Sequence, residues 1–212
     1  MHNTIFWIII TIIVLDFIFE SVLEYLNSTR MSEKLPEEVK GIYDEEQYKK
    51  QQNYQRENLR FGLITGTFSF LLILGMFVFE GFALVDQIAW GLTSSPVWAA
   101  LIFFGILMFA SDILNIPFSL YHTFVIEEKY GFNKTTPKTF ILDKMKGWLL
   151  GVLIGGGLLA LMVFIYQETQ DMFWIYAWAV VTGFSIFMTL FYSELIVPIF
   201  NTQTPLEAGD LR

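Results

Sequence analysis

The chain has 212 residues, of which 54% are hydrophobic and 16% charged. Soluble globular domains carry about 25% charged residues, so this composition excludes an ordinary soluble domain. The formal net charge of −8 argues against a nucleic-acid partner, because such a partner requires a clustered positive face. The sequence contains no Cys, which excludes disulfides, Cys nucleophiles and zinc sites built from thiolates.

Five apolar runs are long enough to cross a bilayer, whose hydrocarbon core of about 30 Å requires roughly 20 helical residues. They cover residues 4–26, 61–85, 97–122, 147–166 and 173–198. The first run has no basic residue before it and no small-residue cleavage site after it, so it is predicted to be a span rather than a signal peptide. The sequence therefore predicts an all-α polytopic membrane protein, with residues 1–212 forming one membrane domain.

The basic residues predict the orientation of these spans. All 13 Lys and Arg lie in the loops 27–60 and 123–146 or at the terminal Arg212. The positive-inside rule places both loops and the C-terminus in the cytoplasm and the N-terminus outside or in the lumen. The sequence leaves open whether the membrane is the bacterial inner membrane or the endoplasmic reticulum.

Both cytoplasmic loops are predicted to contain helix. Apolar residues recur at helical spacing after Pro36, and Asp44 with Gln47 fits a capping box that opens a further helix. In the second loop, Gly131 is a predicted helix C-cap, and Thr136 followed by Pro137 is a predicted N-cap. Within the fourth span, Gly147, Gly151 and Gly155 form a ladder typical of closely packed membrane helices.

Polar residues recur at helical spacing in three spans. They are Asp16, Glu20 and Glu24 in the first span, Asp112, Asn115, Ser119 and His122 in the third, and Thr182, Ser185, Thr189 and Ser193, followed by Glu194, in the fifth. No Lys or Arg lies within any predicted span to neutralise these acids, and charge in a bilayer is costly. One interpretation is a polar, water-filled chamber lined by Asp16, Glu20, Asp112, Asn115, His122 and Glu194. The other is interhelical hydrogen bonding that holds a bundle together.

The sequence by itself offers no reaction centre. A zinc site requires three or four converging ligands, and His122 is the one His near the predicted polar face. The sequence contains no P-loop, dinucleotide fingerprint, nucleophile-elbow Ser or His-Glu-x-x-His motif. No catalytic or metal-binding residue is predicted in this chain.

Residues 116–133 read IPFSLYHTFVIEEKYGFN. This stretch resembles the signature of the membrane region of CAAX prenyl endopeptidases. Further matches lie in residues 192–200, in Thr204-Pro205-Leu206 and, more weakly, between Leu35 and Tyr54. The resemblance covers nearly the whole chain.

The resembled enzymes are integral membrane zinc metalloproteases that remove the last three residues of prenylated C-a-a-X proteins. The resemblance implies a helical barrel around a water-filled chamber, with zinc held by His-Glu-x-x-His and a later Glu. This chain ends at Arg212 without that motif, so the catalytic zinc domain is expected to lie downstream and zinc is expected only in the complete enzyme. The implied partners are the lipid bilayer, a lipidated or C-terminal peptide substrate and that downstream domain.

The loop segment after the third span receives two interpretations. By resemblance, Glu127, Glu128, Lys129 and Asn133 lie at the mouth of the chamber, where they brace the metalloprotease domain or line the peptide's route. Alternatively, these charged and polar residues simply cap a helix end.

The sequence thus predicts the membrane chamber of a CAAX-type zinc metalloendopeptidase, a hydrolase fragment or one part of a split protein, which is inactive alone. The first alternative is a non-catalytic membrane protein that kept the same fold to bind lipid or a partner. The second is a proton-coupled transporter, which five helices without internal repeats suit poorly.

Overall fold

The computed structural model describes residues 4–31, 35, 41 and 44–202. Every regular element in these residues is helical, which confirms the predicted all-α class. The chain divides into two compact units, one of Met1–Gln87 with Phe109–Lys134 and one of Ile88–Met108 with Thr135–Arg212. Pro36, the match at Thr204-Pro205-Leu206 and Arg212 lie outside the described residues.

The first unit is built on two long helices, α1 (Thr4–Arg30) and α2 (Glu45–Val78). Their packing includes a stacked pair of rings, Phe17 and Phe70, with centroids 4.1 Å apart. The carboxylate of Asp44 accepts a hydrogen bond from the Glu46 backbone N–H at 3.3 Å, which confirms the predicted helix start at Asp44. The predicted loop 27–60 is therefore helical at both ends.

Helix α2 does not follow the bounds of the second predicted span, 61–85. It ends at Val78, and Glu80 adopts a positive φ of 56° that interrupts the α-helix. A separate helix α3 then runs over Gly81–Leu92. Hydropathy could not reveal this break, because the residues on both sides of Glu80 are apolar.

Helix α4 (Pro96–Tyr121) carries Pro117 inside it and continues into a π-helical segment, His122–Glu127. Proline removes a backbone donor and disturbs the preceding turn, and π-helical turns are frequent at functional sites. The short helix α5 (Glu128–Tyr130) ends at Gly131, whose φ of 76° is left-handed. The Gly131 N–H donates to the carbonyl of Glu128 at 3.0 Å, which confirms the predicted C-cap.

The rest of the second unit is one nearly continuous helical path. It comprises α6 (Pro137–Leu150), a second π-helical segment (Gly151–Gly156), α7 (Gly157–Thr169), a 3-10 turn (Gln170–Met172), α8 (Phe173–Leu195) and α9 (Val197–Phe200). The Thr136 hydroxyl accepts a hydrogen bond from the Thr139 N–H at 3.2 Å, which confirms the predicted N-cap before Pro137.

In the described part of the chain, one of the three glycines of the ladder in the fourth span contacts another helix. A Cβ added at Gly147 or Gly155 would meet no atom within 4 Å. At Gly151 it would lie 3.5 Å from the Met108 methyl, an ordinary contact. The close packing predicted for the ladder is therefore not found at Gly147 or Gly155 in the described residues, and Gly151 and Gly155 lie in the π-helical segment.

Four helical stretches are long and apolar enough to cross a membrane: Thr4–Arg30, Glu45–Val78, Pro96–Tyr130 and Pro137–Phe200. The last has 64 residues and contains both the fourth and the fifth predicted span. The protein is accordingly a multi-pass membrane protein. Helix bounds do not mark the membrane surface, so the span limits and the orientation remain predictions.

Candidate functional site

One face of α2 contacts the segment that follows α4, and both elements belong to the first unit. On α2, Tyr54, Glu57, Asn58 and Phe61 are spaced three, four and seven residues apart, which places them on one helical face. We call these four residues the contact row of α2. Their partners lie in residues 118–132, which follow Pro117 and include the start of the predicted loop 123–146.

Tyr54 provides the first contact of the row. Its phenol donates a hydrogen bond to the Glu127 carboxylate. Its ring also lies edge-on to Tyr130 and Phe132, with centroid distances of 5.2 and 4.8 Å. The bond to Glu127, together with burial, raises the pKa of Tyr54. Tyr54 therefore remains a protonated donor across the neutral range.

One carboxylate oxygen of Glu57 accepts two hydrogen bonds. Lys129 Nζ lies 2.6 Å from Glu57 Oε2, and the Tyr130 hydroxyl donates to the same atom at 2.8 Å. These two hydrogen bonds lower the pKa of Glu57, which lies before the predicted span 61–85. Tyr130 is buried, whereas the Lys129 side chain is more than half exposed, so we expect the ion pair to contribute modestly to stability.

His122 opens the π-helical segment and contacts the same row. Its Nε2 lies 2.9 Å from Asn58 Oδ1 and 3.7 Å from Glu127 Oε1. Because the amide oxygen of Asn58 can only accept a hydrogen bond, Nε2 is the donor in this contact. The His122 ring also lies 5.8 Å from the ring of Phe61.

Backbone and side-chain hydrogen bonds cap the C-terminal end of the segment that follows α4. The N–H groups of Phe132 and Asn133 donate to the Glu127 carbonyl at 2.9 and 3.2 Å. The Asn133 amide donates to Glu128 Oε2 at 2.9 Å. These contacts support the capping interpretation of Glu127, Glu128 and Asn133, and they leave the predicted chamber-mouth role open.

The remaining predicted chamber residues are spread over three helices. Asp16 and Glu20 are exposed on α1, and Glu194 is exposed near the end of α8 in the other unit. Asp112 and Asn115 are half-buried on α4, where the Asn115 amide donates to the Ser111 carbonyl one turn earlier, at 2.8 Å. Among the predicted site residues, the structure brings His122 to Glu127 and Glu128 to Asn133.

Sequence reasoning missed Tyr54, Glu57 and Asn58. Their helical spacing was visible and marks a common face, but the same spacing occurs on solvated helices. The partners lie 64 to 73 residues further along the chain, so no local pattern identified them.

The described residues do not fit the zinc ion that the resemblance implies. In residues 4–31, 35, 41 and 44–202, no three His, Asp or Glu side chains come close enough to hold a metal ion. His122 and Glu127 would supply two ligands, which is fewer than a zinc site needs. No hydrolytic step through a metal is assigned to this chain.

Comparison with known proteins identifies similar sequences and a similar structure. The sequence model of a family described as CAAX prenyl protease N-terminal, five membrane helices, matches residues 24–202. The probable CAAX prenyl protease 1 of Schizosaccharomyces pombe is 35% identical over 86% of this chain and 41% of its own length. The CAAX prenyl protease 1 homolog of Arabidopsis thaliana is 33% identical over 96% of this chain and 50% of its own length.

A solved structure extends this likeness to the fold. The crystal structure of S. mikatae Ste24p matches with a TM-score of 0.90 and 31% sequence identity. The match covers 99% of this chain and 51% of that chain. The chain therefore spans about half the length of the proteins that it resembles.

Proposed function

Since the chain belongs to the family of CAAX prenyl protease N-terminal membrane domains, we propose that it forms the membrane part of a CAAX-type metalloendopeptidase. The observation that carries this proposal is the match to S. mikatae Ste24p, which takes in 99% of this chain but 51% of the solved one. The substrate class that follows is a prenylated or otherwise lipidated C-terminal peptide, held at the membrane by this half.

The hydrolytic group belongs to another part of the enzyme. The sequence contains no His-Glu-x-x-His motif, and the described residues gather no metal-ligand set. Residues 1–212 alone are therefore inactive and bind no stoichiometric zinc. Their role is to hold the lipid and the peptide and to support a downstream metalloprotease domain.

The polar residues of the spans line a chamber for the substrate. Asp16, Glu20, Asp112, Asn115, His122 and Glu194 form this lining. Support comes from their helical spacing and from the absence of Lys and Arg in the predicted spans, because acids inside a membrane favour a hydrated cavity.

The π-helical segment and its cap form the mouth of this chamber on the cytoplasmic side. Glu127, Glu128, Lys129 and Asn133 lie there, within the predicted basic loop 123–146. The contact row of α2 supports the assignment, because hydrogen bonds from Tyr54 to Glu127 and from Lys129 to Glu57 give this segment a defined position on α2. A positioned segment suits peptide binding better than a mobile one.

The test is reconstitution of the enzyme from two halves. Residues 1–212 are expressed in membranes alone and together with the remaining half of S. mikatae Ste24p, and release of the C-terminal tripeptide from a prenylated peptide is measured with zinc content. We expect neither half to be active alone and the pair to be active with one zinc. The control replaces the Glu of His-Glu-x-x-His in the added half with Gln, which should abolish cleavage.

Two outcomes would contradict the proposal. Zinc binding and cleavage by residues 1–212 alone would place the reaction centre in this chain. Two halves that associate but never cleave the peptide, although native Ste24p does so in parallel, would favour the non-catalytic alternative.

A further inference from the structure

Helix α3 (Gly81–Leu92) has 12 residues, and its length does not match a membrane span. At 1.5 Å per residue it is about 18 Å long, which is much shorter than the hydrocarbon core of about 30 Å. It connects α2, which ends at Val78, to α4, which begins at Pro96, and both of these helices are long and apolar enough to cross the membrane. Helix α3 therefore begins and ends near a membrane surface.

One face of α3 exposes a row of aliphatic side chains. Leu84, Ile88 and Leu92 follow one another at four-residue intervals and are 59%, 44% and 69% exposed. Asp86, two residues from both Leu84 and Ile88, is exposed on the opposite side of the helix, and Gln87 is exposed at the edge of the row. Val85 and Ala89, beside the aliphatic row, are buried. The helix thus has separate aliphatic, polar and buried faces.

We propose that α3 lies in the bilayer interface on the side opposite the basic loops, with Leu84, Ile88 and Leu92 inserted among the lipid acyl chains. The length of α2 supports this depth. Phe61 is the first residue after Arg60, and α2 continues from there to Val78. This part of α2 is about 27 Å long, which is nearly the thickness of the hydrocarbon core. The turn at Glu80 then places α3 at the far surface.

Charge and composition favour lipid as the occupant of this face. No Lys or Arg occurs in residues 61–128, so α3 gains nothing from anionic headgroups and binds through apolar insertion alone.

The absence of Cys makes this inference directly testable. Spin labels are attached at Leu84→Cys, Ile88→Cys and Leu92→Cys, and separately at Asp86→Cys and Gln87→Cys, in phosphatidylcholine vesicles. Collision with oxygen, which concentrates in lipid, is compared with collision with a water-soluble nickel chelate. We expect a higher oxygen-to-nickel ratio at the first three positions than at the last two.

Two results would overturn the proposal. Equal nickel access at all five positions would place α3 in water, and shielding of the aliphatic row from both reagents would show that protein covers it. A second comparison does not depend on labelling: Ile88→Asp should lower the unfolding temperature in vesicles, whereas Gln87→Asp should leave it nearly unchanged. Equal effects of the two Asp variants would also contradict insertion of the aliphatic row.

Discussion

Lys129 Nζ and Glu57 Oε2 lie 2.6 Å apart although 72 residues separate them in the chain. The Tyr130 hydroxyl donates to the same Glu57 oxygen at 2.8 Å. A single carboxylate oxygen of α2 therefore binds two consecutive residues beyond the π-helical segment. The following predictions test the contacts that hold this segment.

Tyr130→Phe should reduce stability, because it removes one donor from Glu57 at a buried position. A hydrogen bond of this kind contributes about 0.5–1.5 kcal/mol to the free energy of unfolding. Chemical unfolding in detergent micelles, followed by circular dichroism, measures the change. Tyr48→Phe on α2 is the control, since we expect no comparable loss there. Equal losses in the two variants would show that the bond to Glu57 contributes nothing.

The contribution of Glu57 should depend on pH. Its pKa in the folded protein is lowered from 4.5 by the bonds from Lys129 and Tyr130, so its stabilisation is present above about pH 4.5 and is lost as the pH falls through the lower folded value. The difference in unfolding temperature between wild type and Glu57→Gln should therefore be larger at pH 7 than at pH 3. If the difference in unfolding temperature were larger at pH 3 than at pH 7, the prediction would be contradicted.

Tyr54 and Glu127 should be energetically coupled. In a double-mutant cycle of Tyr54→Phe and Glu127→Gln, contacting residues show interaction energies of about 0.5–3 kcal/mol. The matched cycle pairs Tyr54→Phe with Glu128→Gln, because the Glu128 carboxylate binds Asn133 instead. There we expect the effects on unfolding free energy to be additive. Additivity in both cycles would argue against the Tyr54–Glu127 bond.

Gly131→Ala should destabilise the end of the segment through the backbone. Gly131 has a φ of 76°, and a side chain in the left-handed region costs roughly 1–2 kcal/mol. The site itself has room, since the nearest side-chain atom to an added Cβ, Lys50 Nζ, lies at 3.9 Å. Gly131→Asn should lose less stability than Gly131→Ala, because Asn tolerates the left-handed conformation.

The control for this backbone effect is Gly183→Ala in α8, where a Cβ meets no atom within 4 Å. Helical backbone favours Ala over Gly, so this variant should be neutral or slightly stabilised. If both Ala variants unfold at the same denaturant concentration, the left-handed conformation of Gly131 does not limit stability.

Several local features were predictable from the sequence. The starts of α2 at Asp44 and of α6 at Thr136, and the end of α5 at Gly131, were all predicted from residues within one helical turn of the cap. Capping depends on side chains and backbone conformation within about four residues, so a sequence pattern suffices. The all-α class and the multi-pass membrane character followed from the apolar runs in the same way.

Other features depended on atoms that are distant in the sequence. The break at Glu80 lies between two apolar stretches, so the predicted span 61–85 joined the end of α2 to the start of α3. The contact row of α2 was equally hidden, since helical spacing shows which residues share a face but not what that face meets.

The sequence by itself determined that this protein is built from long apolar helices, where several of them are capped and which family it resembles, because hydropathy, capping and motif all depend on neighbouring residues. The tertiary structure alone decided that Tyr54, Glu57 and Asn58 meet the His122–Tyr130 segment. Such contacts depend on how two helices pack, and the free energy of that packing is spread over residues more than 60 positions apart.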